Sequence, residues 1–404
     1  MRAAPGYRTL LALPAPRWLA LASLPADFAD WLDYAAVVAL LVFTWQQGPL
    51  ALALFALCLA LPYLTAGPVL AIYVDRLPLR RVLFWSNLAR ALATSALLIA
   101  PNTAVVLLLV FARGCIDSAF NPARQSAVQA STPADLLSHA NALHHAINQG
   151  SKILGPALGG LLLTALSPQG VFAVNAGFSL LAALLVLPLQ LASRQPTATP
   201  ERFSVALLAG VSEFGRSRLL LTALVFSAIA FFAFFLYDTF IALLLDDLGY
   251  GPSALGFSLA CSGLGGLLGA VLSGRMPPEN PLASMISGAL IAGLAVGALG
   301  LGAALELGLP LLAYLALMAV MGGSTAFMLV PYRTIIQTET PPDRIARVSA
   351  AGEAVTTAIM LSGPFVGSFI ATLWGNAAAF IAGACVLLLL AFAGLVILAL
   401  RPRP

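Results

Sequence analysis

Twelve long apolar stretches dominate the chain, at residues 18–45, 50–73, 82–100, 103–121, 142–166, 170–191, 219–244, 252–274, 282–304, 309–330, 350–372 and 376–400. Each can cross about 30 Å of hydrocarbon as a helix, which predicts an all-α integral membrane protein with twelve transmembrane helices. The polar positions between them alternate in character. Apart from Arg90, Arg113 and Lys152, every Lys and Arg falls in the two tails, in every second gap, or in the long central gap. The other gaps hold neutral, proline or acidic residues such as Gln46, Gln47, Asp246, Asp247 and Glu306. Basic residues collect on the cytoplasmic side. Both termini are therefore expected in the cytoplasm, with an even helix count, in a bacterial inner membrane.

Composition points the same way: 60% of residues are hydrophobic and 9% charged, against about 25% charged in soluble proteins. The net charge of +4 follows from topology and implies no nucleic-acid partner. The first apolar run is too long for a signal-peptide core, so the first helix is expected to insert by itself. Cys58, Cys115, Cys261 and Cys385 all lie in apolar runs without CxxC spacing. They read as small hydrophobes, with no metal site and no cofactor expected.

The chain repeats itself at an offset of 208. Gln129, Thr132, Pro133 and Asp135 match Gln337, Thr340, Pro341 and Asp343; Gly155, Pro156 and Gly159 match Gly363, Pro364 and Gly367; Asp30 falls on Asp238. Two pseudo-symmetric six-helix bundles are expected, at 1–192 and 219–404, joined by a cytoplasmic linker at 193–218. Parallel repeats of this kind build transporters whose site lies between repeats and which work by alternating access.

The segment LAIYVDRLPLRRVL resembles the cytoplasmic signature of the major facilitator superfamily through Asp75, Arg76, Arg80 and Arg81, although Ala71 and Pro78 stand where that family has glycines. The resemblance implies the major facilitator fold and a gate latched by these four residues. A carboxylate can satisfy amides at a neighbouring helix N-terminus; plain topological charge is the alternative. SKILGPALGG resembles the family's antiporter motif through Gly155, Pro156, Gly159 and Gly160. Pro156 should bend the fifth helix and the glycines admit a close partner, for which Gly265, Gly266 and Gly269 of the eighth helix are candidates. Ordinary helix packing is the alternative. FNPARQSAVQASTPADLLSHANAL and VPYRTIIQTETPPDRIARVSA look like the branch of macrolide-efflux and enterobactin-export permeases, which implies export of an amphipathic small molecule. The lysophospholipid flippases are similar in the same region.

Charges inside spans are expensive and need a partner or a task. Asp27, Asp30 and Asp33 follow one another at three-residue spacing on the first helix. Three carboxylates so close do not all ionise comfortably, as a proton-coupling site requires; Asp30 and Asp33 are the coupling candidates. Arg113 either neutralises Asp117 at i+4 or holds Asp30 across the cavity. Arg90 reads as structural, snorkelling toward the cytoplasm. Asn141, His145, Asn148 and Lys152 form one stripe on the fifth helix, with His144 beside it as an interfacial side chain. Asp238 and Glu353 are the second-half cavity candidates. The aromatic run Phe231, Phe232, Phe234, Phe235 and Tyr237 reads as lipid-facing bulk, with ligand contact as the alternative. Lys152 and Arg113 would give the cavity a cationic side, unless acids neutralise them permanently.

No phosphate loop, nucleophile elbow or metal-ligand spacing is present. The reading is therefore a proton-coupled exporter of an amphipathic small molecule, a siderophore or a drug, working as a monomer in contact with membrane lipid. The alternatives are a lysophospholipid flippase, another uniporter or importer of this fold, and more distantly an integral-membrane transferase using His144 or His145.

Overall fold

The computed structural model describes residues 6–74, 77–191, 212–274, 281–341 and 345–399. A short helix, α1 (Tyr7–Ala12), precedes six long ones: α2 (Pro14–Ala39), α3 (Pro49–Val74), α4 (Leu79–Leu97), α5 (Thr103–Ser131), α6 (Leu137–Ala165) and α7 (Pro168–Val186). The second series is α8 (Arg218–Tyr237), which runs through a single turn into α9 (Ile241–Asp247), then α10 (Pro252–Gly274), α11 (Pro281–Ala304), α12 (Leu311–Glu339), α13 (Ile345–Trp374) and α14 (Asn376–Ala399). Counting α8 and α9 as one span, the apolar runs became twelve long helices.

Local chemistry sets several boundaries. Asn102 accepts from the Val105 amide at 3.0 Å to cap α5. Ser167 caps α7 with Pro168 at its first position, and Ser217 caps α8. A capping side chain satisfies one of the amides that a helix start leaves unpaired. The α2 helix ends in a π turn at Leu40–Thr44. Pro156 and Pro364 are accommodated inside continuous α6 and α13.

The chain divides into two compact units, 1–46 with 54–198, and 47–53 with 199–404. Much of the expected linker, residues 192–211, lies outside the described residues. Inside the first unit α2 packs on α6 and α7, and α4 on α5 and α7. Inside the second, α8 packs on α13 and α14, and α11 on α12 and α14. These are the same pairings shifted by one repeat, so the 208-residue periodicity is a periodicity of packing.

Glycines mark the closest crossings, and they too are repeated. A Cβ at Gly114 would lie 2.7 Å from Pro62 Cγ, and one at Gly322, 208 residues on, would collide with the Ser262 carbonyl. Gly155 faces Trp31 of α2, and Gly159 faces Leu32 and Ala35. Gly363 and Gly367 meet Phe235 and Leu236 of α8 in the same way. Gly265 and Gly269 are closed against the Ala319 and Gly323 backbones of α12. Each of these glycines packs on a helix of its own unit, because only Gly lets the backbones come this close.

Among the described residues nine spans are long and apolar enough to cross a membrane on composition alone. The long helices missing from that set are α2, α4 and α6, which carry most of the buried charge and the polar stripe. Below that charge, Leu19, Ala22, Leu79, Leu83, Phe120, Ala127 and Val186 form a dry cluster of α2, α4, α5 and α7. This packing fixes the four helices that present the charged side chains.

Candidate functional site

Each of four helices turns one polar face inward. The α2 helix contributes Asp27, Asp30 and Asp33, α4 contributes Arg90 and Thr94, α5 contributes Arg113, Asp117, Phe120 and Arg124, and α7 contributes Asn175. Three- and four-residue spacing puts each set on one face. The facing sets meet in a continuous network.

Arg90 is its centre and has no exposed surface. Its Nη2 donates to Asp30 Oδ1 at 2.5 Å and its Nε to Asp117 Oδ1 at 2.5 Å. The guanidinium lies over the Phe120 ring, 4.5 Å from the centroid, a contact that favours a desolvated cation. Arg113 donates from Nη2 to Asp30 Oδ1 at 3.1 Å, pairs through Nη1 with Asp33 Oδ2, and donates to Thr94 Oγ1 at 2.6 Å. Thr94 donates to Asp33 at 3.2 Å, and Asn175 donates to the other Asp33 oxygen. Arg124 donates to Asp27 Oδ1 and lies over the Phe120 ring as well, 5.5 Å from the centroid.

Four carboxylates, Asp27, Asp30, Asp33 and Asp117, thus share three guanidiniums, Arg90, Arg113 and Arg124. Removing one acid from the charge balance leaves three against three. Among these acids Asp30 is the one shared by two arginines, and its removal leaves each arginine with the carboxylate it does not share: Arg90 keeps Asp117, Arg113 keeps Asp33, and Arg124 keeps Asp27. Asp30 is also the accessible member, with 36% of its side chain exposed against 2%, 9% and 13% for Asp27, Asp33 and Asp117.

Several residues stand apart from their sequence-based expectation. Arg90 does not snorkel. It lies eleven residues into α4, about 16 Å along the axis at 1.5 Å per residue, which is too deep to reach the interface. Asp117 leaves Arg113, four residues away, for Arg90. Arg113 is buried and doubly paired, not a bare cationic wall. His144 is half-buried with Nδ1 3.2 Å from Ser23 Oγ, and is not an interfacial side chain. His145 and Lys152 are exposed on α6, and Asn148 is half-buried. Thr94, Asn175 and the Asp27–Arg124 pair were not singled out. A polar residue deep in a span was their only signal, and Thr or Asn gives it weakly.

In the second unit Asp238 is half-buried in the turn between α8 and α9, beside the buried Tyr237. In the aromatic run Tyr237 is buried and the four phenylalanines are half-buried. Phe235 closes on Gly363, Phe234 stacks on Tyr237 at 5.5 Å, and Tyr237 stacks on Phe380. Glu353 is exposed on α13 and lines a cavity with Phe231 and Arg333. Of the gate residues, Arg80 and Arg81 are exposed at the start of α4; Asp75 and Arg76 lie outside the described residues. Gly155, Pro156, Gly159 and Gly160 are buried.

Residues 19–357 match the Major Facilitator Superfamily. Among relatives, the MFS-type transporter YfiS of Bacillus subtilis is 30% identical over 375 residues, covering 90% of this chain and 88% of that protein. The multidrug efflux pump Tap of Mycolicibacterium fortuitum is 27% identical over 349 residues, covering 80% and 82%. A bacterial homologue of the human lysosomal transporter Spinster superposes with a TM-score of 0.73 at 16% identity, covering 97% of this chain and 99% of that one. The nucleoside transporter NupG gives 0.73 at 13% identity, covering 96% and 100%. Those structural likenesses concern the fold. Together with the twelve long helices, the family match over most of its length identifies this chain as a member of the Major Facilitator Superfamily, a multi-pass membrane transporter.

Proposed function

We propose that this transporter is a proton-coupled exporter of an amphipathic small molecule, with Asp30 as its coupling acid. One observation carries the reading: Asp30 is the most exposed carboxylate of the network, and the one that two arginines, Arg90 and Arg113, share. With Asp30 ionised, Arg90 and Arg113 are both drawn to α2. With Asp30 protonated, its share of both arginines is released, and α2 keeps the ion pairs of Asp27 and Asp33. A proton taken up on one side of the membrane and given up on the other then shifts the same helix contacts that alternating access must remodel.

Export is supported by the similarity to Tap, an efflux pump, and by the antiporter-like SKILGPALGG segment. Asp33 is assigned as the acid that holds Arg113 in register. The exposed His145 and Lys152 are assigned to the substrate path, with Asn148, Asp238 and Glu353. Both termini are placed in the cytoplasm by the arginine pattern, and the working unit is taken as a monomer. A lipid flippase without proton coupling is the second reading. It is favoured by the likeness of the NPAR-like segment at the end of α5 to the lysophospholipid flippases.

The test is flux of a fluorescent amphipathic dye from proteoliposomes under an imposed pH gradient. Wild-type flux should follow the gradient, and Asp30→Asn should abolish that dependence while dye binding persists. An Asp30→Asn protein whose flux responds to pH as the wild type does would exclude Asp30 as the coupling acid.

A further inference from the structure

The second unit holds a cavity of about 450 Å³ among α8, α12 and α13, within the usual range for small-molecule sites of about 300 to 1,000 Å³. Its wall carries two opposite charges that do not neutralise each other. Arg333 of α12 and Glu353 of α13 are both exposed, and neither forms a salt bridge with another described residue. Glu353 stands three residues into the apolar run 350–372 and faces the cavity. Tyr332, between them in the lining, is buried with its hydroxyl lacking any hydrogen-bond partner among the described residues.

Apolar side chains complete the lining. Phe231 and Leu329 line both this cavity and a small recess that Phe234 and Met328 extend. The charge pair also belongs to this half alone: one repeat earlier, at 353 − 208 = 145 and 333 − 208 = 125, stand His145 and Gln125. A single-charge ligand would leave one of the two side chains uncompensated on entering the cavity. A head group bearing both signs satisfies both.

We infer that this cavity binds amphipaths with a zwitterionic head, the ammonium on Glu353, the carboxylate or phosphate on Arg333, and the apolar body against Phe231 and Leu329. The inference rests on the reading of the chain as a transporter of amphipaths and specifies its cargo. The chemistry is shared by soluble amino-acid-like amphipaths and by phosphatidylethanolamine.

The experiment uses full-length protein in nanodiscs of phosphatidylglycerol and three dansyl-labelled probes with one undecyl chain, ending in an amine, a carboxylic acid or an α-amino acid. The amino-acid head should bind at least about tenfold more tightly than either single charge. Glu353→Gln should reduce it to the affinity of the acid, and Arg333→Gln to that of the amine. Equal wild-type affinities for the three probes would overturn the assignment, and that comparison needs no variant. So would a ranking that both substitutions leave unchanged. Adding phosphatidylethanolamine to the discs separates the sources: competition with the probe supports the site with lipid as ligand, and undiminished probe binding supports it with a soluble one. Flux under a pH gradient is read in parallel. Gradient-independent flux with the head-group ranking intact would end the coupled-export reading and leave the cavity assignment standing. Gradient-driven flux without a ranking would do the reverse.

Discussion

Arg90 on α4 donates to Asp30 on α2 at 2.5 Å from a position with no exposed surface. Its other carboxylate, Asp117, comes from α5, so one guanidinium ties three helices. Replacing one member of a buried pair costs about 3–5 kcal/mol, because the partner is left charged and dry. Arg90→Met should accordingly lower the unfolding temperature in detergent sharply. Adding Asp117→Asn to Arg90→Met should recover part of that loss, since Asp30 keeps Arg113 and Asp117 is no longer an orphaned charge. A double variant no more stable than the single one would show that Asp117 does not depend on Arg90.

Asp33 and Asp30 should separate in opposite directions. Asp33 receives Arg113, Thr94 and Asn175, so Asp33→Asn should cost stability of about 2–4 kcal/mol, within the range for groups in satisfied buried networks. Asp30→Asn should leave the melting temperature nearly unchanged and alter the pH dependence of flux. Thermal unfolding and proteoliposome flux on the same two preparations decide whether the roles divide in this way.

Gly322 and Gly265 sit where an added Cβ would enter the Ser262 and Ala319 backbones. Gly177 has nothing within 4 Å. Gly322→Ala and Gly265→Ala should each destabilise by at least about 1–3 kcal/mol, the usual range for overpacking, seen as loss of the monodisperse peak in fluorescence-detected size exclusion. Gly177→Ala should elute as the wild type does.

A Cβ at Gly352 would come 2.5 Å from the Tyr332 hydroxyl and 3.1 Å from Phe214 Cζ. Gly352→Ala should push the tyrosine toward the cavity beside Glu353. The expected result is several-fold weaker binding of the amino-acid-headed probe, with the pH response of flux unchanged. Fluorescence titration and flux on one preparation check both halves of the statement.

Reporter fusions after residue 200 and at the C-terminus should both report the cytoplasm, following the arginine pattern. A periplasmic C-terminus would overturn the topology.

The helices were legible because a span must be apolar for its full length, and the repeat because Gly, Pro and Asp recur at one offset. Partnership inside the spans was harder to read. Arg113 had a carboxylate at i+4 and one on another helix. The choice went to the distant acids because α2 and α5 bring Asp30 and Asp33 to the guanidinium while Arg90 claims Asp117 from the other side. Arg90 was underrated because its depth depends on where α4 begins, and the apolar run alone starts three residues later than the helix. The glycine face of α6 was visible as a face, yet sequence could not say that Trp31 and Ala35 of its own half would fill it. The aromatic run looked too regular to share one face, and the side chains resolved this by going to different neighbours.

Of the long helices too polar to cross on composition alone, α2 and α4 are joined in this network through Asp30 and Arg90, which constrains how the chain enters a bilayer. On insertion scales an aspartate at a helix centre costs about 2.5 to 3.5 kcal/mol, and α2 carries three. The α2 span is thus poorly suited to partition into lipid by itself. It becomes affordable once Arg90, Arg113 and Arg124 have been synthesised to meet it. The early half of this protein should therefore be released into the membrane as a group, with α2 held at the insertion machinery until α5 is complete.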